Sequence, residues 1–231
     1  MFKGKAGYLL AVVGACCCLS LGAQAAPPEG ERELTRPILQ IRIFDVAGVS
    51  AGDLVRAEGH VDRIFGDAGI KVSWAQGNLD NPQSLTTDFS ENSSRAGVCL
   101  SEGNRTEVRV QLLAHAPTGV SPGTLGFSLP CARLGIDSTI FVEQCESEAV
   151  SYKVGPTFST VLGHAIAHEV GHVLLRSSQH SASGLMRARW DQAAWLNAAL
   201  GRVQMDADEA RRMRRELFRM EALSLTATGG K

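Results

Sequence analysis

Residues able to do chemistry are concentrated in one short stretch. The chain has six histidines, and four of them fall between Gly163 and Met186, in GHAIAHEVGHVLLRSSQHSASGLM. Within it, His168-Glu169-Val170-Gly171-His172 has the spacing H-E-x-x-H. Helix positions four apart lie one turn apart on one face, so both imidazoles can reach a single metal ion at about 2 Å. Glu169 is carried toward the same place and can take a proton from water on that metal. The spacing requires a helix, and Val161, Leu162, Ala165, Ile166, Ala167, Val170, Val173 and Leu174 surround the motif with apolar residues. Histidines on so apolar a helix are costly to bury without partners. The competing reading is a His-rich structural helix with no chemistry.

A catalytic zinc usually takes three protein ligands and keeps a position for water. His180 follows His172 after a polar segment, Arg176-Ser177-Ser178-Gln179, that can end the helix. Ser181-Ala182-Ser183-Gly184 then makes a turn, and Met186 follows. His180 is therefore the third-ligand candidate. Behind it stand three carboxylates, Asp191, Glu209 and Glu216, each of which reads more simply as surface charge. His164, one turn before His168, is a hydrogen-bonded core histidine, a residue supporting the ligands or an alternative ligand. His60 and His115 are isolated and read as structural. A methionine after a glycine turn is ordinarily core filler, and that reading competes with a role for Met186 at the metal.

The surrounding elements must place these groups. Ile38 to Phe44 alternates as a strand. Leu54, Ala57, Val61, Ile64 and Phe65 recur at helical spacing between Ala51 and Asp67, and Gly69 stops that helix. Residues 70–74 read as a second strand, 106–113 as a third and 138–142 as a fourth. Residues 76–105 form a polar loop insertion, and 114–137, rich in glycine and proline, are irregular. Helices follow at 157–175, 190–200 and 206–223. The last carries an apolar stripe of Ala210, Met213, Leu217 and Met220. Its Arg211, Arg212, Arg214 and Arg215 are balanced by acids and read as a solvated face. The tail 225–231 reads as loose. Strands first and helices last indicate a single α+β domain over 38–224.

The N-terminus sets the compartment. Lys3 and Lys5, an apolar run at 8–22 and Ala23-Gln24-Ala25 make residues 1–25 a secretory signal peptide, followed by a lead-in at 26–37. The run is short for a membrane span of about 20 residues. The expected location is secreted or periplasmic. Val13-Gly14-Ala15-Cys16 resembles a lipobox and offers the rival of lipid anchoring at Cys16. Cleavage leaves Cys99, Cys131 and Cys145, so at most one internal bridge forms. Cys131 and Cys145 are the preferred pair, against three unpaired thiols. A net charge of −1 gives no argument for a nucleic-acid partner. Asn92 and Asn104 match the glycosylation pattern.

Over residues 157–190 the chain resembles a zincin metalloprotease, and more narrowly a metzincin with a matrixin-like motif. The matching pieces are HEVGH, then His180 with Ser181, then GLM ending at Met186. The resemblance implies a small mixed twisted sheet with an N-terminal helix, an active-site helix and C-terminal helices. It implies Zn2+ held by His168, His172 and His180, Glu169 as general base, Met186 in a turn beneath the metal, and hydrolysis of a peptide or protein substrate. By the same analogy, the strand at 138–142 is the sheet edge that binds an extended peptide. Two departures stand out. The family's glycine falls at Leu175 and its third histidine at Ser178, so His180 comes two residues late and needs a wider turn. No tyrosine follows closely. Two other functions remain: hydrolysis of cell-wall peptides, and a non-catalytic zinc-binding or degenerate module, against which the intact Glu169 argues.

Overall fold

Alternation in ILQIRIFD buries Leu39, Ile41 and Ile43 completely and makes β1 (Ile38–Asp45) the heart of a sheet. The computed structural model describes residues 36–78, 107–132, 135–152 and 155–228. The signal peptide, the lipobox, most of the lead-in and of the insertion, Cys99 and both glycosylation patterns lie outside these. β1 is flanked by β2 (Lys71–Gln76) and β3 (Glu107–Leu113), both parallel to it. β5 (Ser138–Phe141) pairs parallel with β3, and β4 (Gly126–Ser128) pairs antiparallel with β5. The order β2-β1-β3-β5-β4 is a mixed five-stranded sheet, and with five helices among the described residues the fold is α+β.

The helices explain how the sheet is covered. α1 (Ala51–Asp67) starts at Ser50, whose hydroxyl accepts from the Asp53 amide, and buries the five apolar positions expected of it. It packs on α3 (Phe158–Leu175). At Gly163 of α3 an added Cβ would lie 2.6 Å from the Ala57 carbonyl oxygen, so glycine permits that close approach. α2 (Val142–Val150) follows β5 directly, α4 is Gln192–Ala199 and α5 is Ala207–Thr228. Among the described residues no helix is long and apolar enough to cross a membrane.

Several expectations need correction. The sheet edge is β4, not the strand at 138–142: β5 is buried at all four positions and β4 covers it. Three residues are too few to show a period, which is why β4 was hidden in the stretch read as irregular. α2 went unread because it begins at Val142 with no turn residue and no side-chain cap. α5 runs to Thr228, into the stretch read as a loose tail. The Cys131–Cys145 bridge does not exist. Cys145 is a free thiol on the buried side of α2, and desolvation pushes its ionisation well up. Cys131 is disulfide-bonded, and Cys145 is not its partner.

The α5 arginines do more than face solvent. Arg212 donates to the Leu175 carbonyl and Arg214 to the Ala68 carbonyl. These are C-terminal oxygens of α3 and α1, which the helices leave without internal partners.

Candidate metal centre and cleft

α3 begins where the Thr157 hydroxyl accepts from the Thr160 amide and is buried along most of its length. It ends in a Schellman-type turn. The Ser177 amide donates to the His172 carbonyl at 3.2 Å and the Arg176 amide to Val173 at 3.1 Å. The left-handed position falls on Arg176, at φ 52°, where glycine is usual. Its side chain is held by Glu216 at 3.3 Å. This is the wider turn that the late histidine required.

The three histidines converge. His168 Nδ1 lies 2.8 Å from the Leu185 carbonyl oxygen, and His172 Nδ1 lies 2.7 Å from that of Ser177. Carbonyls only accept, so both Nδ1 atoms carry the proton and, in the neutral rings, both Nε2 atoms present lone pairs. Burial keeps them neutral: the first cause lowering His168 to about 4 is desolvation, with His172 and His180 adding to it. His172 is lowered mainly by the same cause. Yet the two Nε2 atoms lie 3.1 Å apart, and His180 Nε2 is 3.3 Å from that of His172. Two facing lone pairs cannot bond each other. A cation between them resolves the clash, and ligands about 2.0–2.1 Å from a tetrahedral zinc are about 3.3 Å apart. The donor set therefore fits zinc. No other group of three potential metal ligands comes together among the described residues.

Glu169 is buried beside this centre, and desolvation raises its carboxyl to about 7, with a Ser128 hydrogen bond pulling the other way. A cation in the centre lowers it from there. Its neighbour is the edge strand: a Cβ on Gly126 would lie 3.2 Å from Glu169 Cγ. Met186 is fully buried under the motif, and a Cβ on Gly171 would come within 2.5 Å of its sulfur.

The remaining expected residues have other places. Asp191 caps α4 by accepting from the Ala194 amide. Glu216 pairs with Arg176 and Arg219. Glu209 accepts from the Ser181 hydroxyl and the Asp206 amide. None of these joins the histidines. His164 is buried and donates from Nδ1 to the Thr160 carbonyl, which leaves Nε2 as a buried acceptor with no hydrogen-bond partner among the described residues. Desolvation lowers it to about 4. His60 contacts Arg63 and Thr160, and His115 pairs with Glu143, both away from the centre.

The histidines and Glu169 open on a cleft of about 650 Å³. One wall is Gly123 to Ser128 of β4 and its approach, and the other includes Arg187, Trp190 and Trp195. Trp195 donates to Glu148 at 2.6 Å. Neither wall was read from the sequence. The two tryptophans just after Met186 were the available signal for the second.

No family model matches the chain, and no curated protein matches it significantly. Among solved structures it is similar to a zinc-dependent peptidase from Methanocorpusculum labreanum strain Z. The identity is 13%, covering 77% of this chain and 99% of that one, with a TM-score of 0.39. It is also similar to archaemetzincin from Methanopyrus kandleri, with 14% identity, 83% and 98% coverage and a TM-score of 0.42. Metalloproteinase-II from Bacteroides fragilis gives 14%, 79% and 53% coverage and 0.40. Likeness at this level decides neither family nor activity.

Proposed function

We propose that the chain is an exported zinc-dependent metallopeptidase of metzincin-like type. The observation that carries this reading is the convergence of three imidazole Nε2 atoms beside a buried glutamate, at the head of a cleft bounded by a sheet edge. His168, His172 and His180 would hold the zinc. When bound, zinc supplies Lewis acidity toward a carbonyl oxygen and lowers the pKa of water to about 7.

The chain's own residues supply the rest. Glu169, acidic enough to ionise near neutral pH, takes the proton of the attacking water and returns it to the leaving amine. Leu185 and Ser177, through their carbonyls, fix the tautomer and plane of His168 and His172. β4 pairs with β5 on one side only, so its outer edge can accept an extended peptide as an added strand, next to Glu169. The export signal ending in Ala23-Gln24-Ala25 supports an activity outside the cytoplasm. Met186 is the methionine of the turn beneath the metal.

The test is metal content together with turnover. Purified mature protein should hold one zinc per chain and cleave an unstructured protein substrate, and Glu169→Gln should keep the zinc and lose the cleavage. Zinc with no cleavage by the wild type, across protein and cell-wall peptide substrates, would leave a binding module. Absence of zinc after supplementation would end the reading.

A further inference from the structure

The loop between α3 and α4 carries every group the centre takes from outside α3. Ser177 and Leu185 supply the carbonyls that orient His172 and His168, His180 is the third imidazole, and Met186 lies beneath. His180 differs from the other two. It is exposed, and among the described residues no carbonyl or carboxylate orients its Nδ1. Its direction must come from the backbone that carries it.

That backbone is fixed one residue later. The Ser181 amide closes the loop onto the Met186 carbonyl at 2.8 Å, and the Ser181 hydroxyl donates to Glu209 Oε1. The other oxygen, Glu209 Oε2, accepts from the Asp206 amide at 3.2 Å, as in a capping box at the start of α5. The same approach to α5 grips the loop again. Leu185 donates its amide to the Gln204 carbonyl at 3.1 Å. Gly184, at φ 73°, lets that carbonyl approach to where a Cβ would be 2.9 Å away.

Glu209 is only 8% exposed and forms no ion pair with a lysine or arginine among the described residues. A cap at a helix start does its work in water. Burying the carboxylate adds a desolvation cost that capping does not require. We propose that Glu209 is a positioning residue for the third ligand: it latches Ser181 to the start of α5 and so holds His180 at the His168–His172 pair. This rests on the zinc reading above and assigns the last helix a part in it.

The test compares zinc affinity, by competition with a chromogenic chelator, across the wild type, Glu209→Ala, Ser181→Ala and the double variant. Apo stability in urea is measured alongside. Asp53→Ala, which disturbs the cap of α1 away from the site, is the control for a purely structural loss. Glu209→Ala and Ser181→Ala should each weaken zinc about 10–100-fold, and the double variant should be no weaker than the worse single one. Asp53→Ala should lose stability and keep its affinity. Ser181→Ala carries the result if Glu209→Ala folds poorly. Unchanged affinity in folded Ser181→Ala and Glu209→Ala would overturn the latch and leave the zinc reading standing. No zinc bound by the wild type would overturn both.

Discussion

Gly171 should be a helix glycine that alanine cannot improve, and the reason is Met186. Alanine in a helix interior is favoured over glycine by about 1 kcal/mol. Gly59 of α1, exposed and with nothing within 4 Å of an added Cβ, should show that gain as Gly59→Ala. Gly171→Ala gains the same backbone term but sets a methyl 2.5 Å from Met186 Sδ, 3.2 Å from its Cε and 3.4 Å from Met213 Cε. The sulfur must retreat by about 1 Å to reach ordinary contact. Met186 and Met213 are both fully buried, so the retreat is absorbed by the core at about 1–3 kcal/mol. The difference between the two variants is that packing cost alone. Zinc should bind Gly171→Ala more weakly as well, because Leu185, whose carbonyl orients His168, is the residue before Met186. Urea unfolding of the metal-free proteins measures the first effect and chelator competition the second. In a Met186→Ala background the clash is gone, and Gly171→Ala should then stabilise, a coupling of about 1–3 kcal/mol. If Gly171→Ala stabilises the wild type as much as Gly59→Ala does, Met186 does not pack as described and its place beneath the centre fails.

His180→Ala should lose the zinc that the wild type holds, by metal analysis of dialysed protein; zinc retained would send the search to other groups. Metal-free protein should lose stability as pH falls from 6.5 through about 4, because His164 and His168 both have native pKa values lowered to about 4, mainly by desolvation. The share of His164 is about 3 kcal/mol, and His164→Phe should remove that share and leave the slope due to His168. Glu169 has the opposite sign. Its native pKa is raised to about 7 from 4.5, so its contribution is present below 4.5 and lost as pH rises through 7. Metal-free Glu169→Gln should therefore unfold at higher urea than wild type at pH 8, with the gap closing below pH 4.5. Arg176→Val, forced to φ 52° with a β-branched side chain and without the Glu216 pair, should destabilise by about 2 kcal/mol or more.

What could be read from the sequence was what has a period or a fixed spacing. α1 and β1 are long and regular, and their buried positions follow from periods of 3.6 and 2. The motif on α3 fixed two imidazoles and a carboxylate on one helix, His180 followed from the polar segment after it, and the place of Met186 came from the resemblance alone. β4 is too short to have a period, and α2 grows out of β5 with no stop signal. The edge strand that walls the cleft was therefore lost, and its role was given to its neighbour. The acids of the last helix were unreadable for a different reason. Nothing in a sequence tells a buried carboxylate that grips Ser181, as Glu209 does, from one paired with arginines, as Glu216 is.

The late third histidine is a consequence of how the loop is built. The turn after α3 is closed by amides donating to His172 and Val173, so it depends on a left-handed residue at 176 and not on the number of residues between it and His180. Beyond it the chain is tied at Ser181, to Met186 and Glu209, and at Leu185, to Gln204. Between these two fixed parts lie Ser178 and Gln179, both exposed, with no side-chain tie to the centre. Extra chain in such an exposed, unpinned segment costs little closure entropy, so two more residues before His180 leave the ties at Ser181 and Leu185 intact. In this chain, then, the slack that accommodates the late third histidine lies before His180, and the ties that hold it lie after it, at Ser181 and Leu185.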